Sequence, residues 1–317
     1  MNKLTKIGLS ALAGSLVAFS ANAGTLSAAG SASLSFSNAD TNSVADEGNQ
    51  WTMGDSITMT GSGDMDNGMS ISVSFEIDND DTGGGDVYDS HSIAFDLGDA
   101  GSLTFHGHGG SSALGAKDDV MPAAWEEPWD ILPSAETNLI GGAGGDNMFV
   151  YSYAHDSGFT GTVSYVNAAD AVTDVSSTSY GIEYTGMEGL TVGYAQQDVE
   201  VTTNTKGDES TMYAKYAIGG ITVGIQMSEN DMETGTDYES TGIGVSYQVN
   251  DDLTISYGNH EIEAVGAGTP DQEAASLGFS YTMGSLSIGG GIHDGDNIAN
   301  SSTNSREIYS LGLAFNF

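Results

Sequence analysis

The last twelve residues, 306–317, read REIYSLGLAFNF and carry large apolar side chains at every second position. The apolar set is Tyr309, Leu311, Leu313, Phe315 and Phe317, and the positions between them are Ser310, Gly312, Ala314 and Asn316. A strand needs about 9–11 residues to cross a bilayer at a tilt, and this alternation suits a strand with lipid on one face and water on the other. Alone, the segment would equally fit an amphipathic strand of a soluble sandwich.

The same alternation recurs along the chain. Its apolar positions fall in sixteen segments: Leu34–Phe36, Ile57–Met59, Ile71–Ile77, Ile93–Leu97, Leu103–Phe105, Phe149–Tyr153, Val163–Tyr165, Tyr180–Tyr184, Leu190–Tyr194, Ala214–Ile218, Ile221–Met227, Ile243–Val249, Leu253–Tyr257, Leu277–Met283, Leu286–Ile292 and Tyr309–Phe317. Single-chain bacterial barrels have an even number of strands, and this size leaves an aqueous channel. We therefore predict an all-β protein, a sixteen-stranded antiparallel transmembrane β-barrel.

The connections between these segments support the barrel over the sandwich. They alternate between short turns rich in Gly, Asn and Asp and longer polar segments. Short periplasmic turns and longer extracellular loops are typical of outer-membrane barrels, whereas a soluble sandwich has no reason to keep this parity. The inward positions are mostly Ser, Thr and Gly, which predicts a wall that leaves water inside. One barrel domain over residues 24–317 accounts for the pattern.

The first 23 residues resemble a cleavable secretory signal. Lys3 and Lys6 precede an apolar run from Ile7 to Phe19, and Ala-Asn-Ala stands before Gly24. We therefore predict a signal peptide over residues 1–23. The chain has no cysteine, which excludes disulfides and thiolate metal sites.

The charge of the chain is strongly negative. Six basic residues oppose 44 acidic ones, and loss of the signal segment with its two lysines changes the formal net charge from −38 to −40. Phosphate contacts need clustered Lys and Arg, so nucleic-acid binding is excluded, and an excess of carboxylates attracts cations.

One connection, from about Gly107 to Asn147, is far longer than the others. Structureless segments of this length are uncommon unless they are functional. It carries apolar residues, including Trp125 and Trp129, among its acids. We predict that this third extracellular loop folds into the barrel and that six of its acids line the constriction: Asp118, Asp119, Glu126, Glu127, Asp130 and Glu136. The alternative is a surface loop whose acids only keep the protein soluble.

These features together resemble the Gram-negative general diffusion porins. The stretch ALGAKDDV, 113–120, followed by Glu126 and Glu127, is similar to the constriction loop of the alphaproteobacterial branch. The resemblance implies an integral outer-membrane homotrimer, inserted by the barrel-assembly machinery, which reads the terminal aromatic Phe317. It also implies a cluster of arginines opposite the acidic loop. This chain departs from that pattern because Arg306 is its only arginine, and Lys215, His106 and His108 are the remaining candidates for the lumen wall.

The expected function is passive diffusion of small hydrophilic solutes and ions through a water-filled channel with a preference for cations. One alternative is a substrate-specific outer-membrane channel, although inward aromatics are sparse and Tyr213 is the clearest. Another is an acidic, calcium-binding surface or adhesive β-protein. No distinctive nucleophile, base and acid motif is present, so we predict no enzymatic activity.

Two further clusters in the sequence resemble metal sites in part. Asp78, Asp80 and Asp86 approach the spacing of a calcium loop but lack its final glutamate, which predicts at most weak loop-bound calcium and no other cofactor. His106 and His108 share a strand face, but without further ligands a zinc site is disfavoured.

Overall fold

All sixteen predicted strands are present in the computed structural model, which describes residues 24–41, 48–78, 88–130, 139–140, 145–167, 176–200, 207–232 and 235–317. The predicted signal segment 1–23 and the candidate residues Asp80, Asp86 and Glu136 lie outside this part of the chain. The strands are β1 (Thr25–Thr41), β2 (Gly48–Asp64), β3 (Ser70–Asp78), β4 (Ser90–Asp96), β5 (Ser102–His108), β6 (Met148–Ala154), β7 (Phe159–Val166), β8 (Ser176–Met187), β9 (Leu190–Glu200), β10 (Gly207–Ile218), β11 (Ile221–Met232), β12 (Tyr238–Gln248), β13 (Leu253–Ala264), β14 (Gln272–Met283), β15 (Leu286–Asp296) and β16 (Ser305–Asn316). Single 3₁₀ turns occur at Gly98–Ala100, Gly115–Lys117 and Ile298–Asn300. No helix in the described ranges is long and apolar enough to cross a membrane.

The strands form one closed barrel in which each strand pairs antiparallel with its neighbours in sequence, and β1 pairs with β16. In the closing pair Leu34 lies opposite Leu313. Beyond the end of β16, Gly30 and Phe317 exchange two backbone hydrogen bonds of 2.8 and 2.9 Å. Phe317 therefore extends the ladder that closes the barrel, and the described strands form a ring without a free sheet edge.

The outer face of the barrel is apolar. On β11, for example, Ile221, Val223, Ile225 and Met227 are 43, 46, 42 and 48% exposed. Similar exposed apolar residues lie on every strand from β6 to β16, an arrangement that is stable only against hydrocarbon because a soluble monomer rarely exposes such an area. The wall therefore fits a transmembrane barrel.

Outward aromatic rings gather near the short turns, where a membrane interface favours them. They are Tyr153, Phe159, Tyr184, Tyr216, Tyr247, Tyr281, Phe315 and Phe317. Neighbouring rings contact one another across strands, with ring centroids 4.7 Å apart for Phe159 and Tyr184. This belt marks the short-turn end as one interface.

The predicted alternation of connections is confirmed, with two-residue turns at 188–189, 219–220 and 284–285. Gly189, Gly219 and Gly284 supply the positive φ of 76, 60 and 63° that these tight turns require. At the opposite end several strands are longer than their apolar residues indicated, because the backbone ladder continues where outward residues become acidic. On β11 it continues through Glu229 and Asp231.

Buried side chains concentrate where residues 109–130 meet the inner wall. One apolar cluster contains Val120, Met121, Trp129 and Tyr213, and a second contains Leu114, Ile140 and Ala195. The prediction that small inward residues serve only to leave water inside is thus incomplete, since many of them contact this segment.

Candidate functional site

The segment between β5 and β6, residues 109–147, is here called the inner loop. At its stem Gly110 donates a backbone hydrogen bond to Gly145 at 3.0 Å, and His108 Nδ1 lies 2.5 Å from Asp146 Oδ1. Its described residues contact strands from β7 round to β16. Only a segment inside a closed barrel can reach strands so far apart, so the prediction of an inward fold agrees with the described part of this loop.

The first part of the inner loop is fastened to β7 and β8. The amide of Ala113 donates to Ser164 Oγ at 3.0 Å, and the amide of Leu114 donates to Ser179 Oγ at 2.7 Å. Leu114 is completely buried, and Ser112 Oγ accepts the amide of Gly115 at 2.9 Å. Small inward serines therefore act as acceptors for loop backbone that would otherwise lose its hydrogen bonds.

Lys117 connects the inner loop to an acidic residue on the inner wall, Glu183. Its Nζ lies 3.3 Å from Glu183 Oε2 on β8 and 5.7 Å from the centre of the Tyr213 ring on β10. The Tyr213 hydroxyl also donates to Glu183, and Gln226 Nε2 donates to the Lys117 carbonyl at 2.9 Å. Lys117 is thus paired, and its charge is largely cancelled by Glu183.

The next part of the inner loop follows the inner faces of β11 to β16. Pro122 lies against Gly224 and Gly244, and Pro128 lies against Gly258. An added Cβ at Gly224 or Gly258 would come within 2.6 or 2.7 Å of a proline carbon, so these positions exclude a larger residue. Glycines on the wall therefore provide the space for the loop.

Hydrogen bonds and ring contacts also hold this part. The Ala124 amide donates to Ser256 Oγ at 2.8 Å, and Trp125 Nε1 donates to Ser310 Oγ at 3.0 Å. Trp129 is buried, with its ring centroid 4.6 Å from that of His260.

Three of the predicted acids converge. Carboxylate oxygens of Asp119, Glu127 and Asp130 lie within 4.8 Å of one another, and the Glu127 amide donates to Asp130 Oδ2 at 2.7 Å. We call these three residues the carboxylate cluster. Asp119 and Asp130 are exposed, whereas Glu127 is only 6% exposed. Glu126 is exposed beside the cluster, and Asp118 lies next to it in sequence but is not one of the three.

The cluster does not carry three full charges at neutral pH. Burial, and then the hydrogen bond and charge of Asp130, raise the pKa of Glu127 to about 9. Burial also raises the pKa of Asp130 and of Glu126, and the charge of Asp119 adds to both effects. Glu127 is therefore mainly protonated at pH 7, and its carboxyl O–H donates a hydrogen bond to the Asp130 carboxylate.

Positive charge is scarce around this cluster. Among the described residues the cationic side chains are Lys117, Lys215 and Arg306. Lys215 faces inward on β10, near enough to Glu183 to act on its charge. Arg306 lines a surface cavity with Asp40, Asp294 and Glu307 near the long-loop end. The described wall thus has no cationic cluster opposite the acids.

The other predicted residues have different surroundings. A Cβ built on Gly110 would lie 2.5 Å from the His106 ring, so the loop stem covers this histidine. His108 Nδ1 contacts Asp146, and the backbone of His108 lies opposite His91 in the β4–β5 ladder, beside a bulge that shifts the register between His91 and Ser92. Asp78 ends β3 and is exposed, and its two predicted partners lie outside the described residues.

Two functional features are absent from the sequence-based prediction. Glu183 is an inward charge between outward Ile182 and Tyr184, so strand alternation alone would have identified it. The contact between wall glycines and loop prolines and tryptophans has no local signal, because the partners are far apart in sequence.

A family model described as Gram-negative porin matches residues 8–317. No curated protein sequence matches the chain.

Solved structures share the fold. A loop L8 deletion mutant of OmpT, an outer membrane protein of Vibrio cholerae, aligns with a TM-score of 0.73 and 16% identity over 93% of this chain and 99% of that one. A mutant of the Rh. blastica porin aligns at 0.70 and 16% over 92 and 100%. An anion-selective porin from Comamonas acidovorans aligns at 0.66 and 14% over 92 and 99%.

Proposed function

The chain belongs to the Gram-negative porins, integral proteins of the outer membrane, and on this premise we propose that its barrel is a general diffusion channel for small hydrophilic solutes, with a preference for cations. The inner loop would form the constriction. The fold and the family support a channel, and the polar inner wall supports a water-filled one.

The preference for cations is supported above all by the carboxylate cluster. Asp119 and Asp130 are exposed inside the barrel, with Glu126 beside them. Lys117, the cation of the inner loop, is already paired with Glu183 at 3.3 Å. Rings of carboxylates in a narrow pore favour cations over anions, since the field acts where water is scarce.

The arginine cluster implied by the family resemblance has no counterpart on the described wall. We propose that the constriction of this chain carries a field of one sign in place of a transverse field. The fold does not decide this point, because the Comamonas acidovorans protein with the same fold is anion-selective. The side chains at the constriction decide it.

The test is the zero-current potential of the protein in a planar bilayer across a KCl gradient. A cation-selective sign is expected, and it should be largest near 0.01 M salt, where the Debye length is about 30 Å, and small near 1 M, where it is about 3 Å. An anion-selective sign would contradict the proposal.

The substrate-specific channel remains the rival. The clearest inward aromatic, Tyr213, is 3% exposed beneath the inner loop and is not available for stacking on a sugar. Conductance should therefore not be blocked in a saturable way by sugars, and saturable block would favour the rival.

We further propose that the protein is a homotrimer inserted by the barrel-assembly machinery. The OmpT protein of Vibrio cholerae, which has a similar fold, has been solved in a trimer form. A detergent gel should show a high-mass band that disappears on boiling. A monomer band in both lanes would count against the trimer.

A further inference from the structure

Trp125 occupies a space that three wall strands leave open for it. Gly278 on β14, Gly289 on β15 and Gly312 on β16, here called the glycine socket, all face this side chain. A Cβ added at Gly289 would lie 2.1 Å from an indole carbon, and one at Gly312 would lie 2.4 Å from another. Gly289 and Gly312 are directly paired in the β15–β16 ladder. The indole thus packs against the wall backbone, where any side chain would clash.

A hydrogen bond fixes the orientation of the indole in this socket. Its Nε1 donates to Ser310 Oγ at 3.0 Å, and Ser310 is one inward position away from Gly312 on β16. The preceding amide, Ala124, donates to Ser256 Oγ at 2.8 Å. A partly buried donor that keeps its partner has one favoured orientation, so the socket and the hydrogen bond together fix the position of the indole.

A second tryptophan holds the chain on the other side of the acids. Trp129 lies against His260, and a Cβ built on Gly242 would be 3.3 Å from its ring. The three residues between the two anchors are Glu126, Glu127 and Pro128. The segment that carries the two glutamates is therefore held at both ends by indoles that contact different parts of the wall.

We propose that Trp125 is a positioning residue that sets the aperture and ion preference of the channel by holding Glu126 and the carboxylate cluster over the opening. The glycine socket is the wall half of this device. The inference rests on the proposed channel function, because it concerns the same constriction. It also makes the constriction depend on barrel closure, since two of the contacts, to Ser310 and Gly312, are on the last strand.

The first experiment perturbs each half separately in the full-length protein. Trp125→Ala removes the indole. Gly312→Ala places a methyl group in the space of the indole and leaves the sequence of the inner loop unchanged. Both should raise single-channel conductance and move the K⁺/Cl⁻ permeability ratio toward unity, because the acids are no longer held at the opening. Gly161→Ala on β7 is the matched control, since no atom lies within 4 Å of its added Cβ.

A double variant then tests whether the two halves act through one contact. In a Trp125→Ala background, Gly312→Ala should have little further effect on either readout. Equal additive effects would show that Gly312 acts independently of Trp125 and would overturn the proposal.

A covalent rescue distinguishes positioning from a general loss of stability. The built Cβ of Gly278 lies 3.3 Å from Trp125 Cβ, close to the 3.5–4.5 Å of disulfides, and the chain has no cysteine of its own. In the variant Trp125→Cys/Gly278→Cys, oxidation should restore low conductance and cation preference, and reduction should abolish both. Formation of the disulfide without restoration would overturn the proposal.

These outcomes are separable from failure of the proposed function. If the native channel had no cation preference, the proposed selectivity would fail, but the conductance of the Trp125 and Gly312 variants would still test the positioning role. If Trp125→Ala does not fold, the Gly312→Ala and disulfide variants supply the same readouts. Unchanged conductance and permeability ratio in a folded Trp125→Ala barrel would refute the inference.

Discussion

Glu127 should titrate in the alkaline range and change the selectivity of the channel as it does so. The perturbation is a change of pH from 7 to 10 on both sides of a bilayer. A carboxyl group is neutral below its pKa and negative above it, and burial raises the pKa of Glu127 to about 9. Its ionised fraction therefore rises from about 1% at pH 7 to about 90% at pH 10. The cation preference should increase over this window.

The geometry shows why one proton stays on the cluster. Two charges 4.8 Å apart, the outer limit within this cluster, repel each other by about 0.9 kcal/mol at the dielectric constant of bulk water and about 3.5 kcal/mol at an effective value of ~20. Exposure of Asp119 and Asp130 to lumen water keeps their repulsion nearer the lower figure. Glu127 is 6% exposed and loses hydration as well, so it is the group that stays protonated.

The assay is the zero-current potential in a KCl gradient at each pH, compared between the native protein and Glu127→Gln. Glutamine has the shape of protonated glutamate, so the variant should match the native channel at pH 7 and lack the rise between pH 8 and 10. The difference between the two proteins removes the contribution of every other group that titrates in this range. If Glu127→Gln loses cation preference at pH 7, Glu127 was charged there and the reasoning is refuted.

Four further outcomes are expected. Asp119→Asn should lower the K⁺/Cl⁻ permeability ratio at pH 7, because it removes an exposed charge from the cluster, and an unchanged ratio would place Asp119 away from the ion path. Glu183→Gln should lower the same ratio, because it frees Lys117 from its partner. A melting temperature equal to that of the native protein would confirm that the variant folds normally. Deletion of Phe317 should reduce the yield of inserted barrels, because it removes both the predicted assembly signal and the two backbone hydrogen bonds to Gly30. The yield is measured by heat-modifiable gel migration, and a normal yield would refute this prediction. Chelation of Ca²⁺ should lower the melting temperature only slightly, and an equal effect on Asp78→Asn would argue against a calcium site at that residue.

Part of the candidate site was predictable from the sequence and part was not. The acids Asp119, Glu127 and Asp130 were predicted to lie at the constriction, and the structure brings these three together. Their protonation was not predictable, because it depends on the burial of Glu127 beneath a folded loop. The same loop makes Lys117 the partner of Glu183, although 66 residues separate them.

The sequence by itself determined the barrel, because a wall between lipid and water imposes a period of two on every strand, and that pattern is local. It determined the strand number, the alternation of turns and loops, the acidic character of the inner loop and the closing role of the stretch 306–317. Only the tertiary structure decided where the loop lies on the wall. Trp125 meets Ser310 and Gly312 across 185 or more residues of chain, and such contacts exist only after β16 has closed the barrel. No local pattern encodes a contact whose two halves are brought together by closure alone.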